Sequence, residues 1–192
     1  MRADLPFQLV AIETALPCGT PIELWWQDEA RVDQKNGITR RWAKRSTRPL
    51  APKDQRTRLA YIYGAICPAE GKGAGLVLPR CNTEGMTLHL ADISATVAPA
   101  AHAELLLNQA GWHCSRALVR ARQYHPHAAA AKMAELNLVE NVWQLMRHNW
   151  LSNRVSKSYD DILDQSCFAR KRLTDQPWLM MSLGLRTWAH RF

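Results

Sequence analysis

Residues 22–28 read IELWWQD: Ile22, Glu23, Leu24, Trp25, Trp26 and Gln27, closed by Asp28. β-Branched and aromatic side chains dominate this run, which predicts a buried strand that carries Asp28 to its end. Residues 57–67 (TRLAYIYGAIC) are the clearest strand of the same kind, rich in Tyr and Ile. Between the two, Asn36-Gly37 carries the signal of a tight hairpin turn, and a strand is predicted around Ile38 to Ala43. Gly71 to Gly75 reads as a glycine turn, from which Gly75 to Pro79 (GLVLP) returns. Joined by turns, these early strands predict an antiparallel meander.

The periodicity then changes. Thr83 to Val97 places Met86, Leu90, Ile93 and Val97 at helical spacing, with Thr83 as N-cap and Pro99 closing the segment. Glu104 to Leu107 (ELLL) predicts a short buried strand ending at Asn108-Gln109. Asn137 to Val155 predicts a helix with Val139, Val142, Trp143, Met146 and Trp150 on one face. Ser158 to Leu173 predicts another, capped by Ser158 with Asp160 and Asp161 in its first turn. Strands, helix, strand and then helices fit an α/β fold: an open mixed sheet with helices on its faces.

A chain of 192 residues, 47% hydrophobic and 22% charged, suits one soluble globular domain. Its apolar runs fall short of a membrane span, and its first twenty residues lack the basic start and long apolar stretch of a signal peptide. Cys18, Cys67, Cys81, Cys114 and Cys167 are scattered and never spaced CxxC. That argues against a disulfide framework or structural zinc and suits a reducing cytoplasm. The net charge of +8 favours a polyanionic partner, nucleic acid ahead of an acidic membrane surface. Most of the eight tryptophans sit inside apolar patterns and read as core.

Three positions are placed for chemistry: Asp28 and Asn108 at strand ends, and Glu140 where the long helix opens. Strand ends present side chains to a common crevice, and a helix crossing nearby adds one more. Two hard Mg²⁺ ions acting on a phosphodiester need a cluster of carboxylate oxygens; the acids fit, and the amide of Asn108 fits poorly. Each residue also has a plain structural reading. Asp28 serves as an ordinary polar strand end, Asn108 as a turn residue, and Glu140 as the partner of Asn137 in a capping box. His113 either approaches the site or caps the next helix. Arg40, Arg41, Lys44, Arg45 and Arg48 surround Trp42 and predict a hairpin contacting DNA phosphates, against a solvated charged turn. Gly71 to Gly75 lacks the spacing of a phosphate-binding loop.

The run WWQDEARVDQKNGITRRWAKRSTRP, the segment LLLNQAGWH and the segment ELNLVENVWQLMRHNW resemble, in that order, the three acidic motifs of bacterial insertion-sequence transposases of the mariner-related group, in the DDE superfamily of endonucleases. The resemblance covers residues 21–192, with residues 1–20 left as a linker remnant or N-terminal extension. It implies an RNase H-like fold and two-metal (Mg²⁺ or Mn²⁺) cleavage and transfer of DNA strands. It further implies Asp28, Asn108 and Glu140 as the catalytic positions, with Asp28 and Glu140 as metal ligands. DNA, a second copy or a transposase partner chain, and a place at the bacterial nucleoid follow from the same resemblance.

Departures from the family pattern carry expectations of their own. Asn108 stands where the second motif has Asp, which implies weakened metal binding and impaired or absent cleavage. A proline-rich turn and a strand usually precede the glutamate; here RQYHPHAAAAKMAELNLVEN does, so the fifth strand is expected to be distorted or missing and Glu140 misplaced. Relatives place helix-turn-helix modules before the nuclease domain, and twenty residues leave no room for them, so the chain reads as truncated or split. The alternative function is a non-catalytic DNA-binding or inhibitory partner of an intact transposase.

Overall fold

The computed structural model describes residues 4–35, 42–48, 54–108, 110–113, 115, 117–119, 124–128 and 137–184, with backbone alone at 4–9 and 124–128. The elements are α1 (Asp4–Ala15), β1 (Ile22–Asp33), β2 (Leu59–Cys67), β3 (Lys72–Leu78), α2 (Thr83–Thr96), β4 (His102–Leu107), β5 (Tyr124–Ala128), α3 (Val139–Met146), α4 (Tyr159–Thr174) and α5 (Pro177–Leu183). Among the described residues five strands form one sheet in the order β3-β2-β1-β4-β5. β1, β2 and β3 run antiparallel as the expected meander, while β4 and β5 lie parallel to β1. The sheet is therefore mixed, and helices pack on both of its faces, as the order of elements predicts.

Alternation along β1 divides the interior into two layers. Trp25 faces α2 and packs with Tyr63, Met86, Leu90, Ile93 and Leu105. Trp26 faces the other way, with Ile62, Ile66 and Leu106 against α3 and the buried stripe Val139, Val142, Trp143 and Met146. The helical spacing of those four residues is what seats α3 flat on the sheet.

Several boundaries differ from the sequence reading. β1 does not stop at Asp28; it continues to Asp33 because β2 pairs with it from Trp26↔Ile66 to Asp33↔Leu59. The predicted turn at Asn36-Gly37 and residues 38–41 of the predicted strand lie outside the described residues, and Trp42 and Ala43 are not in a strand. The turn between β2 and β3 is made by a 3₁₀ segment, Pro68–Glu70, and by Gly71 at φ 61°, so Gly73 and Gly75 belong to β3. Asn82, not Thr83, caps α2, its side chain accepting from the Gly85 N–H at 2.9 Å. The expected long helix from Asn137 is α-helical only to Met146 and continues as a π-helical turn, Arg147–Leu151. Ser158 caps α4 as predicted, accepting from the Asp161 N–H at 3.1 Å.

Two further findings bear on the expected departures. The fifth strand is present: Tyr124–Ala128 pairs with β4 from Ala103↔Tyr124 to Leu107↔Ala128, ahead of most of the alanine run. Pro126 is tolerated because β5 is an edge strand. Residues 4–15, within the expected linker, form a helix. Among the described residues no helix is long and apolar enough to cross a membrane, and Cys18, Cys67, Cys81 and Cys167 are free.

Glu104, in the middle of β4, is fully buried, and burial pushes its carboxyl up from 4.5 to about 8. An acid that keeps its proton in the fold and loses it on unfolding makes stability fall as pH rises from 4.5 to about 8. Glu104→Gln removes that dependence. Thermal unfolding followed from pH 4 to pH 8.5 should show equal Tm values at the acid end and a growing advantage for the variant above it. Each pH unit in the window contributes at most about 1.4 kcal/mol, or roughly 3–6 °C for a domain of this size.

Candidate active site

β4 covers β1 only from Ile22↔His102 to Trp26↔Leu106. Just past that ladder the two strands present Asp28 and Asn108 side by side, on the face covered by α3. The Asn108 Nδ2 lies 3.4 Å from Asp28 Oδ1, and the Trp143 indole N–H of α3 donates to Asp28 Oδ2 at 3.2 Å. Glu140, exposed in the first turn of α3, is near enough for its charge to act on Asp28. Burial first, and then the charges of Glu29 and Glu140, push the Asp28 carboxyl up to about 6 against the hydrogen bonds that favour its ionised form. The sequence reading thus named three residues that the fold brings together. It placed Asp28 at a strand end, whereas Asp28 lies in mid-strand beside the end of β4.

The amide of Asn108 has a defined orientation. Its Oδ1 accepts from the Ala110 N–H at 3.1 Å, which leaves Nδ2 to face the carboxylate. Reversing the amide would set oxygen against oxygen at Asp28 and nitrogen against the Ala110 N–H. A side chain turned this way offers Asp28 a donor and has its only ligating oxygen engaged elsewhere.

Trp143 reaches Asp28 because Gly64 is opposite it. Gly64 pairs with Asp28 across the β1–β2 ladder, and a Cβ there would fall 2.5 Å from the Trp143 ring. Sequence reasoning placed Trp143 on the apolar face of α3 but missed its polar contact and the need for glycine at position 64.

A second cluster backs the site from the α2 side of β1. Glu29 Oε1 accepts from Gln27 Nε2 at 3.0 Å, Trp112 Nε1 at 3.2 Å and His113 Nε2 at 2.7 Å. His113 Nδ1 lies 2.9 Å from the carbonyl oxygen of Asn108. Both ring nitrogens face acceptors, so the ring is satisfied as an imidazolium that donates twice. Burial opposes that charge, yet the hydrogen bond and charge of Glu29 outweigh it and raise the His113 pKa. Burial likewise acts to raise the Glu29 pKa, and the hydrogen bond and charge of His113 lower it overall. His113 therefore ties the end of β4 to β1 from behind. Of the two roles expected of it, the structure places it behind the site, on Glu29 and the Asn108 carbonyl. Glu29 was missed, although alternation along Gln27-Asp28-Glu29 points it away from Asp28.

Of the predicted phosphate-contacting residues, Arg40 and Arg41 lie outside the described residues. Lys44, Arg45 and Arg48 are exposed in a loop with a turn closed by Thr47 N–H to the Lys44 carbonyl. The expected capping box does not form: Leu138, without a side-chain cap, stands at the N-cap of α3, and Asn137 Oδ1 accepts from the Val139 N–H at 3.1 Å, two residues on and not three. Among the described residues no cluster of three or more His, Cys, Asp or Glu is placed to hold a metal ion.

The sequence pattern of the DDE superfamily endonuclease family matches residues 23–163, a span that includes Asp28, Asn108 and Glu140. The chain belongs to the DDE superfamily of endonucleases. It is 56% identical over 132 residues to an uncharacterized protein, y4pE/y4sA, of Sinorhizobium fredii, an alignment covering 69% of this chain and 98% of that one. Its fold is similar to that of the Mos1 mariner paired end complex with Mn, at TM-score 0.57 and 13% identity, covering all of this chain and 62% of that chain. It is also similar to a pre-cleavage Mos1 transpososome, at TM-score 0.55 and 13% identity, again covering all of this chain and 62% of that one. The chain thus spans about three fifths of the length of these solved relatives. At such identity the likeness speaks for the fold: a mixed sheet flanked by helices, RNase H-like as in the Mos1 catalytic domain.

Removing the imidazolium leaves a buried carboxylate and a backbone carbonyl without their donor. His113→Ala should cost roughly 3 kcal/mol of stability, in the range for breaking a buried pair. Urea unfolding measures it; a loss below about 1 kcal/mol would show that the ring is dispensable.

Proposed function

We propose that this chain is the catalytic domain of a bacterial insertion-sequence transposase, built for two-metal cleavage and transfer of DNA strands and impaired by Asn108. The observation that carries this reading is the juxtaposition of Asp28 and Asn108 at neighbouring strand positions, with Glu140 on the helix above them. Membership of a DDE endonuclease family across residues 23–163 supports it.

The donor set can be tested against the metal chemistry. Two carboxylates, Asp28 and Glu140, suit one hard divalent ion, Mg²⁺ or Mn²⁺. A second ion needs a further anionic oxygen, and Asn108 instead turns an N–H toward Asp28. The residues fit one ion and not a pair. When bound, such ions supply Lewis-acid polarisation of a phosphodiester and a more acidic attacking hydroxyl. The chain's own part is to hold the Asp28 carboxylate, through the Trp143 indole N–H, on the floor of the crevice beneath Glu140. The crevice cannot balance two dications with two carboxylates, so strand cleavage is impaired or absent. Because one neutral amide suffices for that effect, a second reading follows: a non-catalytic DNA-binding partner that pairs with an intact transposase.

Asn108→Asp separates the two. Incubated with supercoiled plasmid and Mn²⁺ or Mg²⁺, the restored variant should nick DNA where the native chain does not. The gain should exceed the roughly 10–100-fold that losing a hydrogen-bond partner of a metal ligand typically costs, and adding Glu140→Ala should abolish it. A folded Asn108→Asp variant without cleavage supports the binding-only reading. Robust metal-dependent nicking by the native chain, absent from Glu140→Ala, would contradict the impairment.

A further inference from the structure

Beside Glu140 the surface opens into a groove of about 400 Å³ between the second half of β1, the π-helical turn and the start of α4. Its walls include Lys35, Arg147, Arg154, Ser152 and Gln165, with Glu140 at one end. Arg154 Nη2 is held by Asp161 at 2.9 Å, yet its Nε is buried with no hydrogen-bond partner. Arg31, also on the wall, is paired with Asp33 at 3.1 Å. Among the described residues Lys35 and Arg147 have no ion-pair partner, and the side chains of Ser152 and Gln165 donate to nothing. The unused donors of Lys35, Arg147, Ser152 and Gln165 thus converge on one concave surface, beside the carboxylate of Glu140.

The groove is fixed in shape. Gln34, buried at the end of β1, donates to the Ser156 carbonyl at 3.0 Å. Arg56 donates to the carbonyls of Ser156 and Lys157 at 2.8 and 2.9 Å, clipping the strand side to the approach of α4. The π-helical turn that closes the other side places Arg147 at its first position. Such turns recur at functional sites because they displace a helix surface locally.

We infer that this groove carries the sugar–phosphate backbone of an unpaired DNA strand toward Asp28 and Glu140. The inference rests on the proposed function and adds to it the path and the form of the substrate. Phosphate oxygens accept, and the unused side chains named here donate, apart from Glu140 at the end that meets the crevice. The volume is that of a small-ligand pocket, which admits one sugar–phosphate backbone between its walls and not the full width of a duplex. The apolar part of the lining, Val32, Leu151 and Ile162, suits sugar and base faces lying against it.

The test is fluorescence anisotropy of the native chain with a labelled single-stranded oligodeoxynucleotide and with a hairpin duplex of matching sequence. It is run in EDTA over a series of salt concentrations, so that cleavage plays no part. The double variant Lys35→Gln/Arg147→Gln should weaken single-strand binding about tenfold or more and flatten the plot of log affinity against log salt by about 0.7 for each phosphate no longer neutralised. A charge-matched control, Lys171→Gln/Arg172→Gln in the last turn of α4 and outside the groove, should retain the native slope. Both substituted pairs are exposed, and unchanged thermal unfolding confirms that each variant folds. Equal losses in the two variants, no loss in the groove variant, tighter native binding of the duplex, or no native binding at all would each overturn the inference. If the groove fails while Asn108→Asp cleaves DNA, the function stands without it; if the groove binds and Asn108→Asp is inert, the reverse holds.

Discussion

The seat of Trp143 on Gly64 is the contact on which the rest of this site depends. The indole packs where a side chain at position 64 would stand, and its N–H reaches the carboxylate that pairs across the ladder from that glycine. One residue therefore docks α3 on the sheet, fixes Asp28 and sets the height at which Glu140 lies above it. A buried tryptophan of this kind is worth roughly 3–5 kcal/mol against truncation. The packing that stabilises the domain and the geometry of its crevice are the same interaction, so neither can be altered alone.

The crevice is held from both faces of β1. In front, Asp28 meets Trp143 and Asn108; behind, Glu29 gathers Gln27, Trp112 and His113, and His113 takes hold of the Asn108 carbonyl. The backbone at position 108 is thereby anchored without help from the side chain. An amide or an acid can therefore stand at this position without disturbing the strand, and the difference between them falls on charge. Asn108 even improves the local balance in the absence of cations, since it offers Asp28 a donor where an acid would repel it.

Much of this was legible in the sequence, and the failures have physical causes. The strands around Trp25-Trp26 and Tyr61–Tyr63 and the stripe Val139, Val142, Trp143, Met146 announce themselves through burial, which periodicity records directly. Asp28, Asn108 and Glu140 were found through motif order. The extent of β1 was missed because pairing with β2, a long-range contact, carries it through the charged residues 28–33. The Gly71–Gly75 run was read as a turn because glycine in a strand looks like punctuation; Met180 fills the space above Gly73, where a Cβ would fall 2.5 Å from its sulfur. The fifth strand was discounted for its alanines, although it forms mainly from the residues before them, at an edge that tolerates Pro126. Glu29 escaped notice because two of its three partners, Trp112 and His113, lie more than eighty residues away.

Under the proposed function the crevice at Asp28 is intact in shape and one charge short of holding two ions. Counting bound Mn²⁺ by electron paramagnetic resonance, at pH 7.5 and in parallel on the native chain and on Asn108→Asp, tests it most directly. At most one weakly bound ion is expected on the native chain and two on the variant, with the second lost again when Glu140→Ala is added. Two tightly bound ions on the native chain, or none on Asn108→Asp while it remains folded, would contradict it.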